Sequence, residues 1–478
     1  MPKQLQLLQG AYVARSVIAN AQRCINLYPE RNTEDAEVPI THYLTPGLLL
    51  QLTPSAPAQA RQYYFTTLGQ LFMWVGSEVY YVPNNFVAQL VGSISSNTGY
   101  ISADDNGAEL VFVDGVNGWV VDLTTYAMTQ IVDATFLSYG ANRVRYLDTY
   151  FVFSSPTGNV IFCTNSNSLT FNPLAVYTKS GYSDPLQVIA VTHREIWALG
   201  SQTTEILANV GTSNFPFAPV PGVFIQHGVA APDSLATWST KVFWVAQDNW
   251  GQATIMMGEG YKVEVISTPA IVQAISEYAT IADAVGFCYQ QGGHVFYQVS
   301  FPTGDATWVY DVTTNFWHQR ACADAQGQLH RHWANCTAFA YGLNLVGDWS
   351  NGNMYAYDLD TFNDNGTPIQ RIRSFPHDIK GLSRRMHLRF VADMEVGMAQ
   401  EAESVDWEPL ITLRWSDDRG QSWGNGVLQR MGRQGQYLTV PTWNRLGMAR
   451  DRVYELSWSE NCSTALNGAF VEVAEAAT

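Results

Sequence analysis

One short pattern, met three times, sets the tightest limit on how this chain folds. Trp119-Val-Val-Asp122-Leu-Thr-Thr125 is matched by Trp308-Val-Tyr-Asp311-Val-Thr-Thr314 and by Tyr355-Ala-Tyr-Asp358-Leu-Asp-Thr361. Each copy joins a run of alternating apolar residues, the period of a half-buried strand, to an Asp/Thr turn. Asp311 and Asp358 are 47 residues apart, and Asp122 to Asp311 spans 189, or about four such steps. Weaker strand ends near Pro83, Thr164, Ala208 and Ile266 complete seven marks, with a mean gap of about 46 residues.

A four-stranded unit of that length is the repeat of a β-propeller, whose blades cover their faces only by packing on neighbours. Between the marks lie hairpin patterns such as Leu71 to Val82, Glu109 to Leu123 and Gly293 to Val312, each with a turn that tolerates positive φ. The expected fold class is all-β, a β-propeller of six or seven blades followed by a C-terminal β-sandwich-like domain. A run of unrelated antiparallel hairpins is the plainer alternative. The segment Asn214 to Gly228 reads as an excursion from the repeat.

Two regions fall outside the period. Residues 1–58 end in the Pro-rich run Leu52 to Ala60 and read as an N-terminal arm or strap with a linker. Residues 59–379 are the propeller. Beyond it, 380–478 again shows strands, but without the repeat. The stretch from Arg371 to Arg452 holds 13 of the 26 Lys and Arg, with 10 of the 42 Asp and Glu, so the remainder carries a charge of −19.

Composition removes other classes. Of 478 residues, 13% are aromatic and only 14% charged, which excludes a disordered chain and a long coiled coil. A net charge of −16 argues against wrapping nucleic acid in a basic groove. No 18-residue apolar window and no apolar leader core are visible, so the chain is expected to be made in and used from a cytoplasm. Cys24, Cys163, Cys288, Cys322, Cys336 and Cys462 are scattered singly, as reduced core thiols are.

Chemistry-bearing patterns are few. Cys322, His330, His332 and Cys336 come closest to a metal set, but their spacing matches no common zinc pattern, and a loop with Trp333 packed on a blade is favoured. No metal and no cofactor is expected. Ser416 to Trp423, SDDRGQSW, fits the Asp-box S-x-D-x-G-x-[ST]-W of sialidases and related propellers; there Ser416, Asp418 and Gly420 organise a turn, with Trp423 packed beneath. That box is structural even in enzymes. No GxSxG elbow, Walker loop, HExxH or GxGxxG at a strand–helix junction is present, so no catalytic residue is assigned. Trp119, Trp308, Trp317, Trp333, Trp349, Trp415, Trp423, Trp443 and Trp458 suit a core better than sugar platforms.

The segment Ala14 to Glu30, ARSVIANAQRCINLYPE, with Tyr43 to Leu48, YLTPGL, resembles the opening of the packaged-DNA stabilisation proteins of short-tailed bacteriophages, also called tail hub or tail nozzle proteins. The resemblance continues through Gly293 to Arg320, Asn344 to His377, Leu413 to Trp423 and Trp443 to Glu460. Arg419 stands where the related sequences look more Gly-rich. The resemblance implies a non-enzymatic virion tail protein with a propeller body, assembled in the bacterial host cytoplasm. It implies a homohexameric ring below the portal and adaptor that stabilises packaged DNA and extends the ejection channel, near a needle or plug and fibres or spikes. Arg15, Arg23, Asn26, Leu27, Tyr28 and Pro29 form either a docking segment for a neighbour or adaptor, or an intramolecular strap. A propeller glycosidase or sialidase-like, receptor-degrading tail component is the enzymatic alternative, and a lectin or scaffold the third. An acidic conduit would pass double-stranded DNA without tight binding, because each phosphate contact would retard exit.

Overall fold

A computed structural model describes residues 3–5, 7–33, 35–55, 57–247, 251–398 and 407–475. Among the described residues seven four-stranded antiparallel blades succeed one another, five as separate sheets and two as parts of larger ones. Six are continuous in sequence, over residues 60–93, 102–130, 143–178, 186–219, 231–265 and 285–323. The seventh takes Ala334–Ala340, Leu343–Asp348 and Met354–Asp358, and draws its fourth strand, Gly47–Leu52, from the N-terminal segment. The first strands of successive sheets are neighbours, and Ala334–Ala340 returns to Ala60–Phe65, which closes the ring.

The repeated motif explains itself in this frame. Its Asp ends the third strand of a blade and ties the turn that follows. Asp122 Oδ1 accepts from the Thr124 and Thr125 amides at 2.9 and 2.7 Å. Asp311 accepts from the Thr313 amide and the Thr314 hydroxyl at 2.9 and 2.6 Å, and Asp358 from the Thr361 hydroxyl at 2.6 Å. These are Asx-type turns, in which the side chain supplies an acceptor that the backbone turn lacks. The marks near Pro83, Thr164 and Ala208 also end third strands. Ile266 instead follows the fourth strand of the fifth blade, Lys262–Val265, because the third and fourth strands there join through a tight turn at Gly260 without the Asp/Thr signal. The supposed excursion at Asn214 holds the outer strand of the fourth blade, Phe217–Pro219.

Aromatic side chains fill the seams between blades. Trp74 meets Phe112 with ring centroids 5.1 Å apart, Trp197 meets Trp244 at 6.3 Å, and Phe243 stacks on Tyr297 at 5.1 Å. Such edge-on and offset pairs add to the burial of large apolar faces. A β-carbon at Gly258 would lie 2.8 Å from the Trp197 ring, so this seam closes only over a glycine.

The sixth blade does not end at its fourth strand. Phe316–Ala323 pairs in parallel with Cys24–Ile25, which pairs with Arg371–Ser374, and the sheet runs on through Asp451–Trp458, Leu410–Ser416 and Val427–Arg430. Facing it, a second sheet orders Thr442–Asn444, Arg385–Glu395, Ala465–Glu475, Ile40–Leu44 and Leu27–Arg31. Phe390 of one sheet packs on Tyr454 of the other at 4.8 Å, and this core is fully buried.

The structure thus divides differently from boundaries at 58 and 379. Residues from 3 to 44 supply strands to both sandwich sheets, 47–52 complete a blade, and 371–374 belong to the sandwich. Pairing across hundreds of residues decides this. No helix among the described residues is long and apolar enough to cross a membrane.

Candidate functional site: the N-terminal clasp and the propeller axis

The distinctive N-terminal segment lies mostly inside the molecule. Asn26 adopts φ 55°, a conformation Asn tolerates, and turns its side chain between the two units. Its Nδ2 donates to the carbonyls of Ala321 and Gln370 at 2.9 and 2.8 Å, and its Oδ1 accepts from the Ala321 amide at 2.9 Å. Leu27, Tyr28 and Pro29 are buried, and Tyr28 sets its ring edge-on to His294 at 5.2 Å and Phe296 at 5.6 Å. Arg23 pairs with buried Glu455 at 3.3 Å, where Arg414 and the Ser374 hydroxyl also converge. Of the six residues, Arg15 alone is exposed.

Arg373, fully buried, is the centre of this clasp. Its guanidinium donates to the carbonyls of Gln9, Arg23 and Ser374 at 2.7, 3.1 and 2.9 Å, to Gln22 Oε1 at 3.1 Å and to His42 Nε2 at 3.1 Å. Burial, reinforced by Arg373, holds His42 well below the usual imidazole range, so the ring stays neutral and can accept. A second tie joins the segment to the sixth blade. His294 Nδ1 lies 2.7 Å from Asp311 and Nε2 lies 3.2 Å from Glu30. The hydrogen bond to Asp311 raises the imidazole pKa against the opposing effect of burial. Neither Arg373 nor His294 stands out in sequence: a charged residue in an alternating strand such as RIRSF reads as the solvent face.

The Asp-box forms the turn its pattern requires. Ser416 Oγ donates to Asp418 Oδ1 and accepts from the Gly420 amide, both at 2.7 Å. Asp418 also accepts from the Ser422 amide at 2.8 Å and its hydroxyl at 2.5 Å. These bonds, the Ser422 hydroxyl first, lower Asp418 to about 2. Arg419 takes φ 64° and reaches Asp451 at 3.2 Å, and the turn rests on Ala21 and Val17 of the N-terminal segment. Trp423 is half-buried under the Arg414 guanidinium, 4.9 Å from its ring centre.

Other candidates resolve into structure. Trp119, Trp308, Trp317, Trp443 and Trp458 are buried. Trp349 and Trp415, like Trp423, carry an arginine over the ring, which occupies the face a sugar would need. Of the metal candidates, His330 is exposed and pairs with Asp305 at 2.6 Å, while Cys336 packs at the first–seventh blade seam. Cys322 and His332 instead meet Asp364, all buried, with their ligand atoms within 4.8 Å. Cys322 Sγ lies 3.4 Å from Asp364, whose carboxyl burial raises to about 6 despite Arg320. The Ala334 amide donates to His332 Nδ1 at 3.2 Å; the neutral ring then carries its proton on Nε2, and neither nitrogen offers a free lone pair. These three residues are the set that could hold an ion; Cys322 and Asp364 are hydrogen-bonded to each other, and His332 Nε2 is buried without a partner.

Polar side chains of the innermost strands meet inside the ring. Gln62 donates to the Tyr100 hydroxyl at 3.0 Å, Arg143 lies over the Tyr100 ring at 4.2 Å, and its guanidinium reaches Asp233 at 2.5 Å. Arg143 starts the inner strand of the third blade and Asp233 sits on that of the fifth, so the pair spans the inner end of the fourth blade and narrows the centre of the ring. A duplex, whose major groove alone is about 12 Å wide, would have to displace this pair to pass through the ring.

Two family models match the propeller and the sandwich. Residues 3–362 match the model of the bacteriophage P22 Gp10 β-propeller, in a phage-stabilisation family, and residues 382–474 match that of the bacteriophage P22 Gp10 β-sandwich. No protein of curated function matches the sequence. Among solved structures, the Neurospora crassa Pan2 WD40 domain is similar at 9% identity and a TM-score of 0.43, over 66% of this chain and 96% of that one. The WD40 propeller of Doa1 is similar at 10% and 0.41, over 65% and 97%. A Saccharomyces cerevisiae structure described as Dbp5 bound to Nup159 and Gle1 is similar at 8% and 0.41, over 70% and 100%. With the propeller and the sandwich both matched in order, the chain belongs to the bacteriophage P22 Gp10 family of packaged-DNA stabilisation proteins, structural components of the phage virion.

Proposed function

We propose that several copies of this chain form a closed ring, a homohexamer by resemblance, below the portal and adaptor of a short-tailed phage, and that the ring retains packaged DNA and later conducts it. The observation that carries this reading is the Arg143–Asp233 pair between the inner strands of the third and fifth blades, which narrows the centre of the propeller. A duplex would have to displace this pair to run through one protomer, and the conduit is therefore enclosed between copies. Heterologous contacts that close into a ring supply such a space.

The charge balance suits a conduit. Residues 60–358 carry nine Lys and Arg against 22 Asp and Glu, a net −13, so the propeller repels phosphate and leaves the duplex mobile. The action is closure of a channel rather than turnover, with the needle or plug and the fibres or spikes attached nearby, and with assembly in the host cytoplasm. Particles made without the protein should package DNA and then lose it, and antibody to the protein should label the single tail vertex. Equal DNA retention in its absence would overturn the reading.

A further inference from the structure

Five of the 26 basic residues are lysines, and Lys179 alone among them is buried. It follows the outer strand of the third blade, Phe171–Thr178, and Asp184 precedes the inner strand of the fourth, Leu186–Thr192. Both therefore lie on the connection between blades. Three anchors fix that connection. The Lys179 amide donates to the Asn159 carbonyl at 2.9 Å, the Gly181 amide to Glu205 Oε1 at 2.7 Å and the Leu186 amide to Asn159 Oδ1 at 2.8 Å. The Lys179 ammonium is held on Asp184 Oδ1, with the two side chains 0% and 2% exposed.

Thr203, between the second and third strands of the fourth blade, bridges the pair. Its hydroxyl accepts from Lys179 Nζ and donates to Asp184 Oδ1, both at 2.8 Å. Asp184 Oδ2 accepts from the Gln202 and Thr203 amides at 2.8 and 3.0 Å. A β-carbon at Gly200 would lie 2.2 Å from Oδ2 and 2.9 Å from Nζ, so the pair sits here only because that residue is glycine.

Two buried ions are costly to desolvate even when paired. The same atoms joined as an amide would be neutral and would find their partners already in place. Oδ2 would be the carbonyl oxygen, still accepting from Gln202 and Thr203, and the amide N–H would still donate to Thr203 Oγ1. Only Oδ1 has no place in that arrangement, and it is the atom a condensation expels. A carboxyl with two backbone amides on one oxygen, a hydroxyl on the other and an amine in contact has the parts of an acyl-transfer site. Fixing them in dry contact does the work of a high amine concentration. We propose that Lys179 and Asp184 condense into an intramolecular isopeptide bond that locks the connection between the third and fourth blades.

Burial raises the Asp184 carboxyl, but Lys179 and the two amides bring it below its ordinary value, so the resting pair is ionic. A proton first passes from Lys179 through Thr203 to Oδ1, leaving a neutral amine and a neutral acid. The nitrogen lone pair then attacks Cγ, and the charge developing on Oδ2 rests on the two amides. A second proton from nitrogen reaches Oδ1 through the same hydroxyl, the Cγ–Oδ1 bond breaks, and one water leaves. The step needs no co-reactant.

The full-length chain, weighed after denaturation, should be lighter than its sequence by one water. Trypsin should fail after Lys179 and leave residues 146–194 as one peptide, also lighter by one water, whose fragments join positions 179 and 184. Lys179→Arg, which keeps a cation but no condensing amine, and Asp184→Ala should each restore the sequence mass. In chain collected at intervals after a short burst of synthesis, Thr203→Val should slow the loss of water by about a hundredfold or more. A wild-type chain of full sequence mass, cut by trypsin after Lys179, overturns the proposal. A loss of water that persists in Asp184→Ala overturns it as well, since the bond would lie elsewhere. An unchanged rate in Thr203→Val would overturn the relay through its hydroxyl.

Discussion

Arg373 Nη2 holds the Gln9 carbonyl at 2.7 Å, although 364 residues separate them. The bond draws the start of the chain into the interior of the C-terminal domain. Around it the N-terminal segment joins both sandwich sheets and the seventh blade, so propeller and sandwich close as one covalently interlaced body.

Replacing Arg373 by Met is therefore expected to cost about 3 kcal/mol or more, because buried carbonyls and His42 would each lose a donor worth about 1–3 kcal/mol. Urea unfolding midpoints measure this. Removal of residues 1–58 should abolish folding of the isolated chain, since the seventh blade would lose its outer strand. A truncated chain with an unchanged thermal midpoint and impaired assembly would identify a pure docking arm.

Gly258→Ala tests the fourth–fifth blade seam. The added carbon would lie 2.8 Å from the Trp197 ring, and overpacking of that kind costs about 1–3 kcal/mol. A midpoint equal to wild type would show that the seam yields.

His294 makes the second tie pH-dependent. Its folded pKa is raised above the ordinary 6.5 by the hydrogen bond to Asp311, with Glu30 adding to it. The stabilisation is complete below 6.5 and is lost as pH rises through the folded value. Asp311, lowered by its partners although burial opposes this, stays ionised across that window. The thermal-midpoint difference between wild type and His294→Gln should thus shrink as pH is raised from 6.5. A constant difference would remove the ion pair from the account.

Asp418→Ala should loosen the box without unfolding the domain. Faster hydrogen exchange is expected at the Gly420 and Ser422 amides, which depend on the turn. In wild type the turn should persist to about pH 2, where Asp418 protonates.

The Arg143–Asp233 pair between the third and fifth blades yields to a double-mutant cycle. With Asp233 part-exposed, Arg143→Ala and Asp233→Ala should show a coupling of about 1 kcal/mol or less. Particles carrying either change should eject DNA at the wild-type rate; a changed rate would place the duplex in the axis.

The amino-acid sequence by itself determined the repeat and the turns that punctuate it. Alternation of apolar residues and an Asp with Thr two or three positions on are local signals, readable because strand and turn are decided within a few residues. They located Asp122, Asp311 and Asp358 at blade corners and Ser416 to Trp423 as a turn. Tertiary structure alone decided which distant strands pair: that Gly47–Leu52 closes the seventh blade, that Asn26 bridges the two units, and that Arg373 and Arg143 turn inward. Sheet pairing depends on hydrogen bonds between segments hundreds of residues apart, and a buried arginine differs from an exposed one only in the carbonyls that the fold brings to it.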